Sequence, residues 1–214
     1  MYKLAVFDLD GTILYTIEQL AVSLNEALSM SGLQRLDTEL VRSRVGNGAR
    51  KLIERCLPDS DEKTRELVLD NYRRYYNEHC IDNTYPYDGI VDLFKTLKEH
   101  GVKIAVVTNK SDPPSIKLID HFFPGLVDIV RGHREGIPHK PDPVLVNEVM
   151  EALKAGPEDT VCIGDSDVDI LMSVYSKTSF VGVTWGYRSK DFLIRNGATR
   201  LADNCDELKD YLLN

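Results

Sequence analysis

Four short stretches of the chain are dominated by apolar residues in succession, and each one is followed by a polar or glycine-containing turn. They cover residues 4–7, 102–107, 160–163 and 179–183. An unbroken apolar run predicts a strand that is buried on both faces, as in a parallel sheet, because a half-exposed strand would alternate. The turns that follow these runs are DLDGT, TNKSD, GDSDVD and TWGY.

Helical patterns fill the intervals between these runs. Ile90, Val91, Phe94 and Leu97 share one helical face, and residues 141–153 begin with a proline suited to a first helical turn. Alternating strands and helices predict an α/β fold with a Rossmann-like open parallel sheet. Ligands of such sheets bind at the carboxyl ends of the strands, where the four polar turns would lie.

Residues 15–85 break this alternation, because they show helical periodicity and no convincing strand. One apolar stripe comprises Ile17, Leu20, Ala21, Leu24 and Leu28, and a second comprises Val68, Tyr72, Tyr75 and Tyr76. Asp37 and Ser60 are candidate N-caps for helices between the stripes. We therefore expect a small helical cap at 15–85, inserted into an α/β core formed by 1–14 and 86–214.

Composition and charge narrow the class of protein. The 214 residues contain 26 Lys and Arg against 34 Asp and Glu, a net charge of −8, which disfavours nucleic acid as a partner. No apolar run approaches the roughly 18 residues of a membrane helix, and the first residues lack a signal-peptide layout. The four cysteines show no metal-ligand spacing, so we expect reduced thiols in a cytoplasmic protein.

The first polar turn places two carboxylates close together. Asp8 and Asp10 alternate at the end of a strand, so both side chains can reach one site, and Gly11 permits a sharp turn. Paired carboxylates repel each other unless a cation lies between them, and Mg²⁺ prefers oxygen ligands. By itself the pattern is equally compatible with a turn whose carboxylates only cap backbone groups.

Three further motifs add phosphate-binding and acidic groups. Thr108 and Asn109 offer a hydroxyl, an amide and backbone donors that can hold phosphate oxygens. Lys140 is followed by Pro141 and Pro143, which restrict the position of its charge before a helix. Taken alone, this motif is more typical of a solvated lysine beside a helix start. Asp165, Asp167 and Asp169 follow a buried strand, where an acidic cluster is costly unless a cation or hydrogen-bond donors neutralise it.

These four motifs, in this order and each at a strand end, resemble the haloacid dehalogenase-like hydrolase superfamily. The resemblance covers essentially the whole chain, including a helical cap after the first motif. The run VGNGARKL at 45–52 and the run WGYR at 185–188 are similar to the phosphoglycolate phosphatase branch, although this match is less specific.

The resemblance implies a role for each motif residue. Asp8 would be the nucleophile that forms an aspartyl-phosphate, and Asp10 the general acid and base. Thr108 and Lys140 would hold the phosphoryl oxygens, with Asn109 supporting the turn. The resemblance also implies a magnesium ion, with Asp8, the backbone carbonyl of Asp10 and Asp165 as its ligands. Ser166 and Asp169 would lie behind these ligands, where Asp169 would orient Lys140 or the waters on the ion.

Two positions depart from the family pattern. Tyr15 stands where the family usually has an aspartate, a position that bears on entry into the cap, and Thr16 can still cap the next helix. Tyr175, Ser176 and Lys177 replace a small Ala-Gly pair after the fourth motif, which bears on local packing.

Cap residues are candidates for substrate contact. Residues 35–55 carry a net charge of +3 in this acidic chain, which would attract an anionic ester. Within this segment Gly46, Asn47, Gly48 and Arg50 are the candidates, because a Gly-Asn-Gly turn permits close backbone approach and Arg50 can pair with a carboxylate. The alternative for the arginines of this segment is that they lie on a solvated helix face and contact no substrate.

The sequence thus predicts a magnesium-dependent phosphatase of a small phosphate ester, with 2-phosphoglycolate as the best single substrate. A phosphomutase of the β-phosphoglucomutase type is an alternative, but Leu20 occupies the position of that branch's cap histidine. A dehalogenase is disfavoured because Asp10 supplies an acid and base that dehalogenases lack. A non-catalytic binding protein on the same fold, and the oligomeric state, stay open.

Overall fold

A six-stranded parallel sheet forms the centre of the protein in a computed structural model that describes all residues, 1–214. The strand order is β5-β4-β1-β6-β7-β8, so the first strand lies in the middle of the sheet. All four apolar runs form strands, which confirms the predicted α/β class. The strands of the sheet are β1 (Leu4–Phe7), β4 (Lys103–Ser111), β5 (Ile129–His133), β6 (Thr160–Gly164), β7 (Ser179–Val183) and β8 (Leu201–Ala202).

The apolar runs lie in the sheet interior because helices cover both of its faces. Alternate residues of β1 divide between two hydrophobic clusters, with Ala5 and Phe7 in one and Leu4 and Val6 in the other. Strands β5 and β8 were not foreseen. They form the two edges of the sheet, and β5 is only partly buried, so neither shows the continuous apolar run of a central strand.

Ten helices connect and flank the strands. The helix predicted at 141–153 begins at Val144, three residues late. No helix is both long and apolar enough to cross a membrane. The helices are α1 (Ile17–Met30), α2 (Thr38–Arg44), α3 (Gly48–Cys56), α4 (Glu62–His79), α5 (Ile90–Glu99), α6 (Asp112–Phe122), α7 (Val144–Leu153), α8 (Asp167–Ser176), α9 (Lys190–Arg195) and α10 (Cys205–Leu213).

Helices α1 to α4 pack on one another as a four-helix unit next to the sheet. The five-residue apolar stripe of α1 is buried, as predicted, and so are Val68, Tyr72 and Tyr76 of α4, whereas Tyr75 is half-buried and stacks on His79. Asp37 caps α2 by accepting a hydrogen bond from the backbone N–H of Glu39. The predicted cap at Ser60 is wrong, because Asp61 caps α4 instead.

The chain passes between the sheet and the four-helix unit twice, and the two connecting segments pair with each other as a two-stranded antiparallel ribbon. The strand β2 (Leu14–Tyr15) leads into the helices and pairs with β3 (Tyr85–Pro86), which leads out. Tyr15, the residue that departs from the family pattern, stacks on Tyr85 at a ring separation of 4.9 Å. The ribbon lies at 14/15 and 85/86, the two positions where the sequence predicts the boundaries of the helical cap. The division into a core and a cap itself stays a prediction.

The second departure lies at the carboxyl end of α8. Lys177 takes a left-handed backbone conformation with φ of 59°, and the N–H of the next residue, Thr178, bonds to the carbonyl of Ser173. This pattern is the usual helix stop in which glycine is preferred, because a Cβ atom is strained there. The lysine therefore costs stability where a glycine would not.

Lys177→Gly should stabilise the protein by about 0.5–1 kcal/mol. Relief of a left-handed side-chain conformation contributes about 1–2 kcal/mol, and the greater freedom of glycine in the unfolded chain offsets part of this gain. Urea unfolding would measure the difference, with Lys177→Ala as the matched control because alanine keeps the Cβ. If the alanine variant is as stable as the glycine variant, backbone strain at this position is not the cause.

Candidate active site

The carboxyl ends of β1, β4 and β6 converge on one cleft that is closed on its far side by the four-helix unit. Its empty volume is about 820 Å³, including the open mouth. Ten of the twelve residues singled out from the sequence line it, and Arg50 and Asp169 do not. The ten are Asp8, Asp10, Gly46, Asn47, Gly48, Thr108, Asn109, Lys140, Asp165 and Ser166.

A buried lysine joins two of the predicted carboxylates at the floor of the cleft. The Nζ atom of Lys140 lies 2.7 Å from Asp8 Oδ1 and 2.7 Å from Asp169 Oδ1, and it donates a third bond to the Val107 carbonyl at 3.1 Å. Burial by itself lowers the pKa of this lysine, but the charges of Asp169 and Asp8 outweigh it and raise the pKa. Lys140 is therefore a fixed positive charge beside Asp8.

The carboxylates of this site are poorly solvated and repel one another. Burial, reinforced by the charge of Asp169, raises the pKa of Asp8 to about 6 even though Lys140 opposes the shift. Burial and the charges of Asp8 and Asp169 raise the pKa of Asp165 to about 8. Keeping both Asp8 and Asp165 ionised at neutral pH therefore costs free energy. A cation between the two carboxylates would offset this cost.

The donor set fits a hard divalent cation. One carboxylate oxygen each of Asp8, Asp165 and Asp169 lies within 4.8 Å of the others. The two oxygens of Asp169 are already engaged, one by Lys140 and the other by Ser166, whose backbone N–H and hydroxyl both donate to it. Asp8 has one oxygen on Lys140, and Asp165 accepts only from neutral donors, the Tyr187 backbone N–H at 2.6 Å and the Thr12 hydroxyl at 3.4 Å. Asp8 and Asp165 are therefore the pair that would hold Mg²⁺, which takes few carboxylates and keeps several waters.

A glycine cradle sets the position of Asp165. The backbone N–H of Tyr187 donates to Asp165 Oδ2 at 2.6 Å. A Cβ atom at Gly186 would lie 2.3 Å from Asp165 Cβ, and one at Gly11, where φ is +84°, would lie 2.5 Å from Asp165 Oδ2. Neither glycine can be replaced without moving this carboxylate, so part of the late run at 185–188 supports the predicted metal site.

Asp10 occupies a different environment from Asp8. Its Oδ1 accepts a 2.6 Å hydrogen bond from the Thr16 hydroxyl, and its Oδ2 lies 3.0 Å from Lys110 Nζ. Thr16 is at the N-cap position of α1, but its side chain makes no capping bond, because the hydroxyl is bound to Asp10 and Tyr187. Hydrogen-bond donors thus orient this carboxylate toward the cleft that it lines.

The Thr-Asn pair at the end of β4 does two separate things. Thr108 accepts a bond from the Lys110 backbone N–H, and its side chain lines the cleft. The Asn109 side chain uses both of its polar atoms on the backbone of Lys140, at 2.7 Å and 3.2 Å. Asn109 therefore holds the loop that carries Lys140, and the second N–H of its amide is left for a phosphate oxygen.

The Gly-Asn-Gly turn lies on the side of the cleft opposite the sheet. Asn47 has a left-handed backbone with φ of 62°, and its Oδ1 is buried without a hydrogen-bond partner. A Cβ atom at Gly48 would lie 3.2 Å from the Asn109 carbonyl, so this turn approaches the Thr-Asn loop closely. The structure thus brings the turn to the cleft, as predicted.

Arg50 is not brought to the cleft. Its side chain is 46% exposed and forms ion pairs with Glu66 and Glu62 of α4. The solvated helix face, left open as the alternative for this arginine, is the arrangement that the structure has. The substrate contact expected of Arg50 therefore has no support in this geometry.

Three residues of the cleft were missed as functional candidates: Lys110, Tyr187 and Arg188. Lys110 is the last residue of the TNK motif and its side chain is only 6% exposed. Tyr187 and Arg188 belong to the late WGYR run, and Arg188 Nη2 donates to the Val45 carbonyl at 3.0 Å. A signal for all three was present in the sequence, because each lies in or next to a polar turn that follows an apolar run. The same signal identified Thr108 and Asn109.

Comparison with known proteins identifies relatives of this chain by sequence. A family described as haloacid dehalogenase-like hydrolase matches residues 5–183. A phosphoglycolate phosphatase of Aquifex aeolicus is 33% identical over 86% of this chain and 86% of its own length. Phosphoglycolate phosphatase 1 of Pseudomonas aeruginosa is 31% identical over 96% of this chain and 78% of its own.

A solved structure agrees over the whole chain. The crystal structure of a protein from Lactobacillus delbrueckii subsp. bulgaricus, proposed to be a phosphoglycolate phosphatase, superimposes with a TM-score of 0.94 at 33% identity. It covers 100% of this chain and 99% of its own. With the family match over most of the sequence, the chain belongs to the haloacid dehalogenase-like hydrolases, and within them it resembles the phosphoglycolate phosphatase branch.

Proposed function

We propose that this protein is a magnesium-dependent phosphatase that hydrolyses 2-phosphoglycolate, or a closely related small phosphate ester, through an aspartyl-phosphate at Asp8. The observation that carries the proposal is the placement of Asp8. It lines the cleft at the end of the central strand, with Lys140 Nζ at 2.7 Å and Asp165 close enough to share a cation.

The reaction that this arrangement supports has two steps. In the first, a carboxylate oxygen of Asp8 attacks phosphorus, the bond from phosphorus to the ester oxygen breaks, and Asp10 gives that oxygen its proton. In the second, Asp10 takes a proton from water as the water attacks phosphorus. The bond between phosphorus and Asp8 then breaks and releases inorganic phosphate.

Positive charge near the transferring group makes up the rest of the chemistry. Lys140 is held by two carboxylates and a carbonyl, so it stays in place while negative charge develops on the phosphoryl oxygens. Thr108 lines the same cleft and offers its hydroxyl to those oxygens. A magnesium ion held by Asp8 and Asp165 would supply further charge stabilisation for the phosphoryl group.

Water is favoured over a sugar hydroxyl as the final acceptor. Leu20 lines the cleft at the position where the phosphomutase branch has its histidine, and a hydrocarbon side chain cannot transfer a proton. The best match to a substrate comes from the two relatives described above, both of which are named phosphoglycolate phosphatases. A fully formed set of catalytic side chains argues against a purely binding function.

Purified protein assayed against a panel of phosphate esters tests this function. We expect Mg²⁺-dependent release of phosphate, fastest from 2-phosphoglycolate, and loss of activity in EDTA. Slow turnover of p-nitrophenyl phosphate would serve as a general control for the phosphoryl chemistry. If no ester is hydrolysed with Mg²⁺ present, the phosphatase assignment is wrong. If glucose 1-phosphate is isomerised instead, the phosphomutase alternative replaces it.

A further inference from the structure

We propose that Lys110 selects esters whose alcohol carries a carboxylate, by binding that carboxylate next to the ester oxygen. This inference rests on the proposed phosphatase function and names the residue that determines its specificity. It assigns to Lys110, which lines the cleft, the role expected of Arg50, which does not line it and pairs with glutamates of α4.

Lys110 is a buried cation that has a spare donor. Its Nζ atom lies 3.0 Å from Asp10 Oδ2 and donates to the Tyr76 hydroxyl at 2.8 Å. An ammonium group has three N–H donors, so these two partners leave one for a ligand. Because the side chain is almost fully buried, an anion that reaches it would be bound with little competition from water.

The distance between Lys110 and Asp10 fixes which part of the substrate it can meet. Asp10 is the proposed acid for the leaving oxygen, so that oxygen has to bind within hydrogen-bond distance of its carboxyl group. In 2-phosphoglycolate the carboxylate is attached to the carbon atom that bears this oxygen. A group one carbon away from the oxygen is therefore within reach of an ammonium that lies 3.0 Å from Asp10.

The other cations of the cleft are less suited. Lys140 spends its three donors on Asp8, Asp169 and the Val107 carbonyl. Arg188 binds the Val45 carbonyl and lies over the Phe192 ring, which leaves some of its donors free, so it is the rival for the same role.

Tyr76 positions the lysine from the four-helix unit. It belongs to α4, is buried, and accepts the Lys110 bond while its ring lies 4.4 Å from Nζ. The ammonium is thus held between Asp10, which follows β1 of the sheet, and a helix on the opposite wall of the cleft. Tyr76→Phe would keep the ring and remove only the hydroxyl, so it separates the positioning effect from the charge itself.

Ligand binding to an inactive background tests the inference apart from turnover. The background is Asp8→Asn, and the ligands are 2-phosphoglycolate and ethyl phosphate, titrated by calorimetry with Mg²⁺ present. We expect tighter binding of 2-phosphoglycolate, and an affinity ratio that Lys110→Met reduces by about 10- to 100-fold, as for loss of a charge-assisted bond. Lys110→Arg should keep most of the preference, and Tyr76→Phe should reduce it less than Lys110→Met does.

The controls decide between this inference and its rivals. Arg50→Ala should leave the affinity ratio unchanged. The Lys110 assignment is overturned if the background shows no preference for 2-phosphoglycolate, if Lys110→Met keeps the preference, or if Arg188→Met alone removes it. Wild-type turnover of the two esters is measured separately. Absence of turnover would overturn the phosphatase function, whereas the binding ratio still decides the role of Lys110.

Discussion

Replacing Asp8 with asparagine should reduce turnover by about 10⁴- to 10⁶-fold, the range seen when an essential nucleophile is removed. An amide is far too weak a nucleophile to displace the ester oxygen from phosphorus. The variant should nevertheless fold, because the surroundings already disfavour the charge of Asp8, whose pKa is raised to about 6 chiefly by burial. Lys140 keeps its second carboxylate partner, Asp169, at 2.7 Å.

Two measurements test this prediction. Phosphate release from 2-phosphoglycolate gives the loss of activity, and thermal unfolding shows whether the variant is folded. Asp206→Asn makes the same chemical change at an exposed position and should keep wild-type activity. Hydrolysis near the wild-type rate by Asp8→Asn would exclude the aspartyl-phosphate mechanism, whereas a variant that is inactive and also unfolded would show only that Asp8 supports the fold.

The sheet could be predicted from the sequence because its central strands are buried on both faces. Burial on both sides forces an unbroken apolar run, and all four such runs became strands. Edge strands lack this constraint, which is why β5 and β8 escaped prediction. The β2–β3 ribbon was missed for another reason: two paired residues at each crossing are too few to show any periodicity.

The site could be predicted only as far as its residues stand in local motifs. Asp8, Asp10 and Asp165 lie in turns at strand ends, so parallel topology was enough to place them in one cleft. Lys140 lies beyond β5, which ends at His133, and was identified from its own motif. The structure gives no support to the role expected of Arg50, because this side chain pairs with Glu62 and Glu66, which come from another helix.

Partners that are distant in the sequence also explain what was missed at Lys110. This lysine bonds to Tyr76, 34 positions away, and pairs with Asp10. The net charge of residues 35–55 showed that cations were present in that segment. It could not show which of them face the cleft, because that depends on how α3 and α4 pack together and on where α4 meets β4.

Asp165 provides the second large effect, which concerns metal binding and stability rather than chemistry. Its pKa is raised to about 8 by burial and by the neighbouring carboxylates, whereas an aspartate in the unfolded chain titrates near 4. Between these values the folded apoprotein holds a proton that the unfolded chain has lost. The free energy of unfolding in EDTA should therefore fall as pH rises from about 4 to 8, by up to about 1.4 kcal/mol per pH unit for this group.

Asp165→Asn should remove this contribution, since an amide does not titrate. In EDTA the variant should be as stable as the wild type near pH 4 and more stable near pH 8, by on the order of several kcal/mol. Mg²⁺ should reverse the order, because it binds the ionised wild-type site and stabilises only the folded state. Activity should be lost or require much more Mg²⁺, since one of the two carboxylates proposed to bind the ion is gone.

Chemical unfolding at several pH values, with EDTA and with Mg²⁺, measures both effects. Asp167→Asn is the matched control, because Asp167 belongs to the same acidic run but does not line the cleft. That variant should follow the wild type in its response to pH and to Mg²⁺. If Asp165→Asn shows the same loss of stability with pH as the wild type, burial of this carboxylate is not the cause. If Mg²⁺ stabilises both proteins equally, the ion binds elsewhere and the pairing of Asp8 with Asp165 as metal ligands is wrong.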